Sequence, residues 1–316
     1  MSSRVVSGIA RKAIASVRWV RRVSAVDLML LGTVLLWALN ITVTRYVLTH
    51  GWKPLAYGTI RYFAATGLFW MFTFHRERSF RVRLSDAQLV ALAAALIFLN
   101  QLSFVYSVKL TTASTVALIL GITPVFVALF ASLAGLEHVS RTFWLAAAIS
   151  FVGVALIAGG SGGGFSSDVL GDVIAIATAG TWAGYSVAIA PLMRRYSPYR
   201  ISALVLGLGW IPLALASIPQ VAAQGFDFGW LVWLGFGYAV LGPLFLTNIL
   251  WFTAIDRVGP SRASLFANLQ PFFSVVFALI LLSEHLSRFE IAGGFAIAAG
   301  IVLERRTHGV VEEPVA

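Results

Sequence analysis

LEHVSR, residues 136–141, and SEHLSR, residues 283–288, share the pattern x-Glu-His-x-Ser-Arg at an interval of 147 positions. Laid over each other at that offset, residues 100–157 and 247–304 align without a gap. Ser114 falls on Ser261, Leu118 on Leu265, Pro124 on Pro271, Phe126 on Phe273, Phe130 on Phe277 and Gly153 on Gly300. A charged phrase spelled twice in so apolar a chain marks an internal duplication. How often the chain crosses a membrane between the copies then decides their relative orientation.

The chain of 316 residues is 59% hydrophobic and 11% charged, whereas a soluble domain carries about 25% charged residues. A spanning helix needs about 20 mostly apolar residues. Ten segments of the chain approach or exceed that length: 27–47, 54–74, 87–107, 111–134, 142–160, 170–193, 198–218, 229–254, 259–282 and 289–304. The run Gly159-Gly160-Ser161-Gly162-Gly163-Gly164 is a flexible linker that halves the set. Each copy therefore holds five spans, an odd number, and the second copy enters the membrane from the side opposite the first. Inverted repeats of this kind build secondary transporters, with the substrate site near the midplane where the repeats meet. The expected fold is all-α integral membrane, ten transmembrane helices as two inverted five-helix repeats. Its parts are a basic leader (1–26), a first repeat (27–160), a Gly/Ser-rich linker (161–168), a second repeat (169–304) and a tail (305–316).

The net charge of +10 would raise the question of nucleic acid in a soluble protein, so the positions of the basic residues decide. Ten spans put both termini on one side. With that side cytoplasmic, 18 of the 23 Lys and Arg residues lie inside, and Arg45, Lys53, Lys109 and Arg288 lie outside. Only Arg61 remains within a span. The charge obeys the positive-inside rule and predicts a multi-pass protein of the plasma (inner) membrane with both termini cytoplasmic. No polar domain gathers the basic and aromatic residues that nucleic-acid binding requires. The leader, with Arg4, Arg11, Arg18 and Arg22 on one helical face, reads either as an amphipathic surface helix or as a disordered basic segment. There is no cysteine, which removes disulfides and thiolate chemistry. No motif for a cofactor, metal or catalytic set occurs. The expected partners are a small-molecule substrate and the lipid bilayer, with monomer and homodimer both open.

LASLAGLEHVSRTFWLAAAISFVGVALI and ALILLSEHLSRFEIAGGFAIAAGIVL each resemble the Leu-Gly-Glu-Arg turn and following glycine-rich helix of the EamA-type drug/metabolite transporter superfamily. LLWALNITVTRYVL and PLAYGTIRYFAATGLFW, with the Arg-aromatic pair Arg61-Tyr62, are similar to its first two helices. The resemblance covers residues 27–304. The chain departs from the family in carrying His at the turn where Arg is usual, and in lacking an Arg-aromatic pair in the second half. The resemblance implies a ten-helix transporter of small metabolites or drugs, often working outward from the cytoplasm.

Polar groups within spans are costly and call for a reason. Arg61, seven residues past Pro54, lies about 10 Å deep at 1.5 Å per residue. It reads as a counter-ion for a substrate carboxylate, or as a structural group that snorkels outward or pairs with Asp172 or Glu290; position favours the structural role. All thirteen acids fall at helix ends, loops or tails, so a proton relay through a central carboxylate is not expected, with Asp172 the nearest exception. Pro124 and Pro271 fall mid-helix, where proline bends the helix and frees the carbonyls of Leu120 and Ala267. Thr123, Asn268 and Gln270 stand beside them as polar wall or as local satisfiers. Trp37 and Trp182 sit too deep for an interfacial belt. With Asn40, Asn100, Gln101, Tyr106, Tyr185, Asn248 and Trp251 they form either an aromatic cavity with polar fixings or ordinary core.

The repeated phrase itself reads as caps for its own turns, since Glu137-His138 and Glu284-His285 on opposite faces cannot share a metal. Gly159–Gly163 fits G-x-S-x-G without the strand and helix of a nucleophile elbow. Asn40-Ile41-Thr42 fits a glycosylation acceptor inside a span. Gly180 and Gly184 suit close helix packing. The expected protein is a secondary transporter working by alternating access, most simply an exporter of amino acids or related metabolites. Efflux of drugs or of cationic and aromatic compounds is the alternative, and a non-transport membrane scaffold is the reading from another class.

Overall fold

The computed structural model describes residues 25–135, 141–160, 167–267 and 269–308. The leader up to residue 24, Glu137 and His138, the linker centre, Asn268 and the last eight residues lie outside that set. Among the described residues there are helices and turns and no strand.

In chain order the helices are α1 (Ala25–Thr49), α2 (Pro54–Glu77), α3 (Ala87–Leu110), α4 (Ala113–Leu120), α5 (Thr123–Leu133), α6 (Arg141–Gly160) and α7 (Ser167–Met193). There follow α8 (Pro198–Ala222), α9 (Trp230–Ala239), a π-helical turn (Val240–Leu246), α10 (Thr247–Ala267), α11 (Gln270–Leu281) and α12 (Arg288–His308). Six stretches are long and apolar enough to cross a membrane: Ala25–Thr49, Leu84–Leu110, Ala113–Leu133, Val169–Met193, Pro198–Ala222 and Trp230–Ala254. The count of ten is not reached on these measures. α2 is helical but carries Arg61 within it, and Trp144–Gly153 and Gln270–Leu281 are shorter apolar runs. The outer surface suits lipid, with Phe63, Trp144, Trp230 and Phe295 each more than half exposed at 60, 57, 76 and 74%. In water such a surface would aggregate.

Two expectations need correction. The prolines break their helices instead of bending them. Pro124 and Pro271 each sit in the first turn of a new helix, α5 and α11, where a missing N–H costs nothing because that N–H has no intrahelical partner. The Leu120 carbonyl released at the first break accepts from the Thr123 hydroxyl at 2.6 Å. The turn expected between the eighth and ninth segments, near residues 255–258, is helical instead, because α10 runs through it to Ala267.

The packing is reciprocal. α3 lies along α7, and α1 lies along α10; α5 packs on α7, and α11 packs on α1; α2 faces α8, α4 faces α11, and α6 faces α12. At the α6–α12 crossing the reciprocity extends to single residues. A Cβ on Gly153 would stand 2.6 Å from the Gly293 carbonyl oxygen and 2.8 Å from Ile297. A Cβ on Gly300 would stand 2.6 Å from the Ala146 oxygen and 2.1 Å from Ser150 Oγ. Residues 146, 150 and 153 are the 147-offset equivalents of 293, 297 and 300. Residue i meets j′ while i′ meets j, which is the signature of a two-fold contact.

The repeated phrase has a role its local sequence does not reveal. Ser287 accepts from the Glu290 N–H at 3.1 Å, and Glu290 accepts from the Ser287 N–H at 2.7 Å. This is a capping box, and it satisfies the start of α12 without Glu284. Glu284 instead reaches across to α4, accepting from the N–H groups of Ala113 and Ser114 at 3.0 and 2.9 Å and from the Ser114 hydroxyl at 2.7 Å. Glu290 also accepts from Thr115 Oγ1 at 2.5 Å. The second copy of the phrase thus caps a helix of the first half. It stands beside the start of α4, while residue 135, the equivalent of 282, follows the far end of α5.

Candidate functional site

A cavity of about 680 Å³ lies between the halves. Its wall is set by the helix breaks. Gly121 closes α4, and a Cβ there would lie 3.3 Å from the Pro271 ring, so the two proline breaks touch. Pro124, Gln270 and Pro271 all line the space. The π turn adds Pro243 and Leu244 and turns Asn248 toward the cavity. π turns of this kind collect at functional sites.

The floor is aromatic. The Trp37 ring meets Trp182 edge-on at 5.4 Å and Trp251 tilted at 5.0 Å. Trp37 Nε1 donates to Thr247 Oγ1 at 2.9 Å, and that hydroxyl donates in turn to the Pro243 carbonyl. The indole is thereby held by a bond that crosses from α1 to α10. Asn100 donates to the Thr178 carbonyl at 2.9 Å, tying α3 to α7, and Asn40, which lines the same space as Trp37, has its Oδ1 buried with no partner among the described residues.

Arg61 is 1% exposed and lines the cavity. Its arm neither snorkels nor pairs with Asp172 or Glu290: among the described residues the ion pairs are Arg195–Asp86 and Arg200–Glu77. Nη2 donates to Gln101 Oε1 on α3, and Nη1 donates to the Tyr57 hydroxyl at 3.4 Å. The guanidinium carbon lies 4.8 Å from the Tyr57 ring, 5.8 Å from Phe104 and 5.9 Å from Tyr62, within cation–π range. Local satisfaction one turn back and across to α3 is what keeps the side chain from reaching outward.

The two ends of the cavity differ. At one end Trp52, 1% exposed, is sandwiched between Phe228 and Phe236 at 5.0 and 5.2 Å. There Gln224 and Gln220 accept from the N–H groups of Lys53 and Leu55, each at 2.8 Å, and Glu284 caps α4. At the other end Arg194 and Arg195 line the space and stand exposed. Asp86, 2% exposed, holds Arg195 and accepts from the Tyr196 hydroxyl at 2.7 Å. The exposed Arg194 and Arg195 belong to the cavity lining, whereas Trp52, Phe228 and Phe236 pack together at the opposite end without lining it.

Of the residues named from sequence, Trp37, Asn40, Arg61, Asn100, Gln101, Trp182, Asn248, Trp251 and Gln270 line this one space together with Pro124 and Pro271. Tyr106 does not, because its hydroxyl is engaged by Gln220 Nε2 at 3.1 Å. Tyr185 does not either: it is buried behind Trp182, 5.4 Å from that ring. Asn268 lies outside the described residues. Sequence reasoning missed Tyr57, Thr247, Pro243 and the cavity role of Arg194 and Arg195. Tyr57 was signalled by its i−4 spacing from Arg61, and Pro243 by the same helix-breaking chemistry as Pro124. Arg194 and Arg195 read only as topology charges.

Lipid-facing helices around an internal, solute-sized cavity define a multi-pass membrane protein with a binding chamber. The sequence profile of the EamA-like transporter family matches residues 24–159 and again 169–304. The chain belongs to that family, and it is a membrane transporter. It is similar to an uncharacterized transporter of Archaeoglobus fulgidus, 24% identical over 280 residues, covering 86% of this chain and 95% of the relative. A second from the same organism is 26% identical over 199 residues, covering 62% and 68%. The uncharacterized transporter YdeK of Bacillus subtilis is 27% identical over 202 residues, covering 62% and 67%. A solved crystal structure, 18% identical, shares the fold over 92% of this chain and 99% of its own with a TM-score of 0.64.

Proposed function

We propose that the protein is a secondary transporter of the plasma membrane, built as ten spans in two inverted five-helix repeats with both termini cytoplasmic. On this reading it moves small metabolites by alternating access, exporting amino acids or related compounds. The observation that carries the reading is a cavity lined by residues of both halves where their proline breaks meet, with the exposed Arg194 and Arg195 in its wall and the Trp52 aromatic cluster packed at the other end. The positive-inside distribution supports a cytoplasmic side for the Arg195 end, which suits an exporter waiting for cargo. The reciprocal packing supports two halves able to exchange roles, as rocking of one repeat against the other requires.

The three-indole floor of Trp37, Trp182 and Trp251 also suits aromatic or cationic compounds, which is the ground for an efflux reading. A counterflow assay in proteoliposomes across amino acids, organic acids and amphipathic drugs decides between them. The expected result is saturable exchange of a small metabolite through the reconstituted protein. A protein inert to the whole panel would remove transport and favour a scaffold.

A further inference from the structure

Every charged side chain lining the cavity among the described residues is an arginine: Arg61, Arg194 and Arg195. Arg195 is balanced by Asp86, and Arg194 stands in solvent at the mouth. Arg61 is different. It lies deep, its hydrogen-bond partners among the described residues, Tyr57 and Gln101, are neutral, and its Nε is buried with no acceptor among them. A buried cation without a counter-charge is an unfavourable arrangement that persists where something else compensates. The aromatic faces of Tyr57, Tyr62 and Phe104 soften the cost but supply no negative charge.

We infer that Arg61 is the anchor for a carboxylate on the cargo, and that the protein therefore carries small organic carboxylates with an aromatic or apolar body received by Trp37, Trp182 and Trp251. The assignment rests on the transport reading of the cavity. A guanidinium matches a carboxylate through paired N–H donors. Gln101 now occupies Nη2, and an arriving carboxylate takes its place with a stronger, charge-assisted bond. One guanidinium deep in the site suits a monoanion better than a phosphate dianion, for which a second cation would be needed nearby. An organic cation meets the π faces it prefers but also the field of Arg61, with no acidic side chain in the described lining to offset it.

The test uses the purified full chain and three near-isosteric probes: 3-phenylpropanoate, its primary amide and 3-phenylpropylamine. The carboxylate is expected to bind at least about ten-fold more tightly than either analogue, the size of one charge-assisted hydrogen bond. Arg61→Gln is expected to erase that preference while leaving amide binding as in the wild type, which a general loss of fold would not do. Arg61→Lys keeps the charge without the fork and is expected to retain part of the preference. Equal or tighter binding of the amine or the amide by the wild type overturns the assignment, as does a preference that survives Arg61→Gln. Counterflow of the same probes scores transport separately. A carboxylate that binds without exchanging removes transport and leaves Arg61 in its role; exchange of the amine alone does the reverse.

Discussion

Gly300→Leu is expected to leave little folded protein. A single Cβ at this position would already stand 2.1 Å from Ser150 Oγ and 2.6 Å from the Ala146 carbonyl oxygen, and the second of these is backbone that cannot turn aside. Overpacking by one methyl group costs about 1–3 kcal/mol where neighbours can shift, so Gly300→Ala alone should lower stability by that order, and leucine by more. Gly153→Ala should behave alike, since its Cβ would meet the Gly293 oxygen at 2.6 Å. The two alanine variants together should cost less than their sum, because one separation of α6 from α12 relieves both clashes. Gly180→Ala is the control: nothing lies within 4 Å of a Cβ there, and helix propensity alone favours alanine by up to about 1 kcal/mol. Thermal midpoints in detergent read all five variants. A Gly300→Leu protein as stable as the wild type would show that this crossing is not the close contact described.

Glu284→Ala is expected to loosen the Trp52 end. The carboxylate takes two backbone N–H groups and one hydroxyl of α4, and among the described residues it is the acceptor these groups have. Hydrogen bonds to a charged group contribute about 1.5–3 kcal/mol each, so losing even one net bond would shift an open–closed equilibrium at least about ten-fold. The native chain has no cysteine, which makes a single introduced thiol a clean probe. Ser186→Cys places one in the cavity wall. With Glu284 present, an impermeant thiol reagent should reach it from the Arg195 side and not from the Trp52 side. With Glu284→Ala it should react from both. Unchanged protection on the Trp52 side would mean that Trp52, Phe228 and Phe236 close that end without Glu284.

Much of the architecture was legible because it rests on patterns carried by the chain itself. The five segments 27–47, 54–74, 87–107, 170–193 and 198–218 agree with α1, α2, α3, α7 and α8 to within a few residues, since long apolar runs between charged ends leave little choice. The duplication was visible in identities at one fixed offset. What stayed hidden is non-local. Glu284 caps residues 113 and 114, about 170 positions away, and a helix cap supplied from so far off leaves no trace in the sequence around either partner. Proline chemistry pointed to the right places but not to the outcome, because whether a helix bends or restarts depends on what fills the gap. Here Gly121 against the Pro271 ring fills it. Tyr185 and Tyr106 resemble cavity residues in type and depth, and only the positions of Trp182 and Gln220 turn them away.

The central claim is that the second half threads the bilayer in the opposite sense to the first. His138 and His285 occupy equivalent positions in the two copies of the repeated phrase, so single His138→Cys and His285→Cys variants, labelled in intact cells with an impermeant thiol reagent, test it most directly. Reaction at 285 without permeabilisation, and at 138 only after it, is the predicted result. Labelling of both residues from the same side of the membrane would contradict the inverted arrangement.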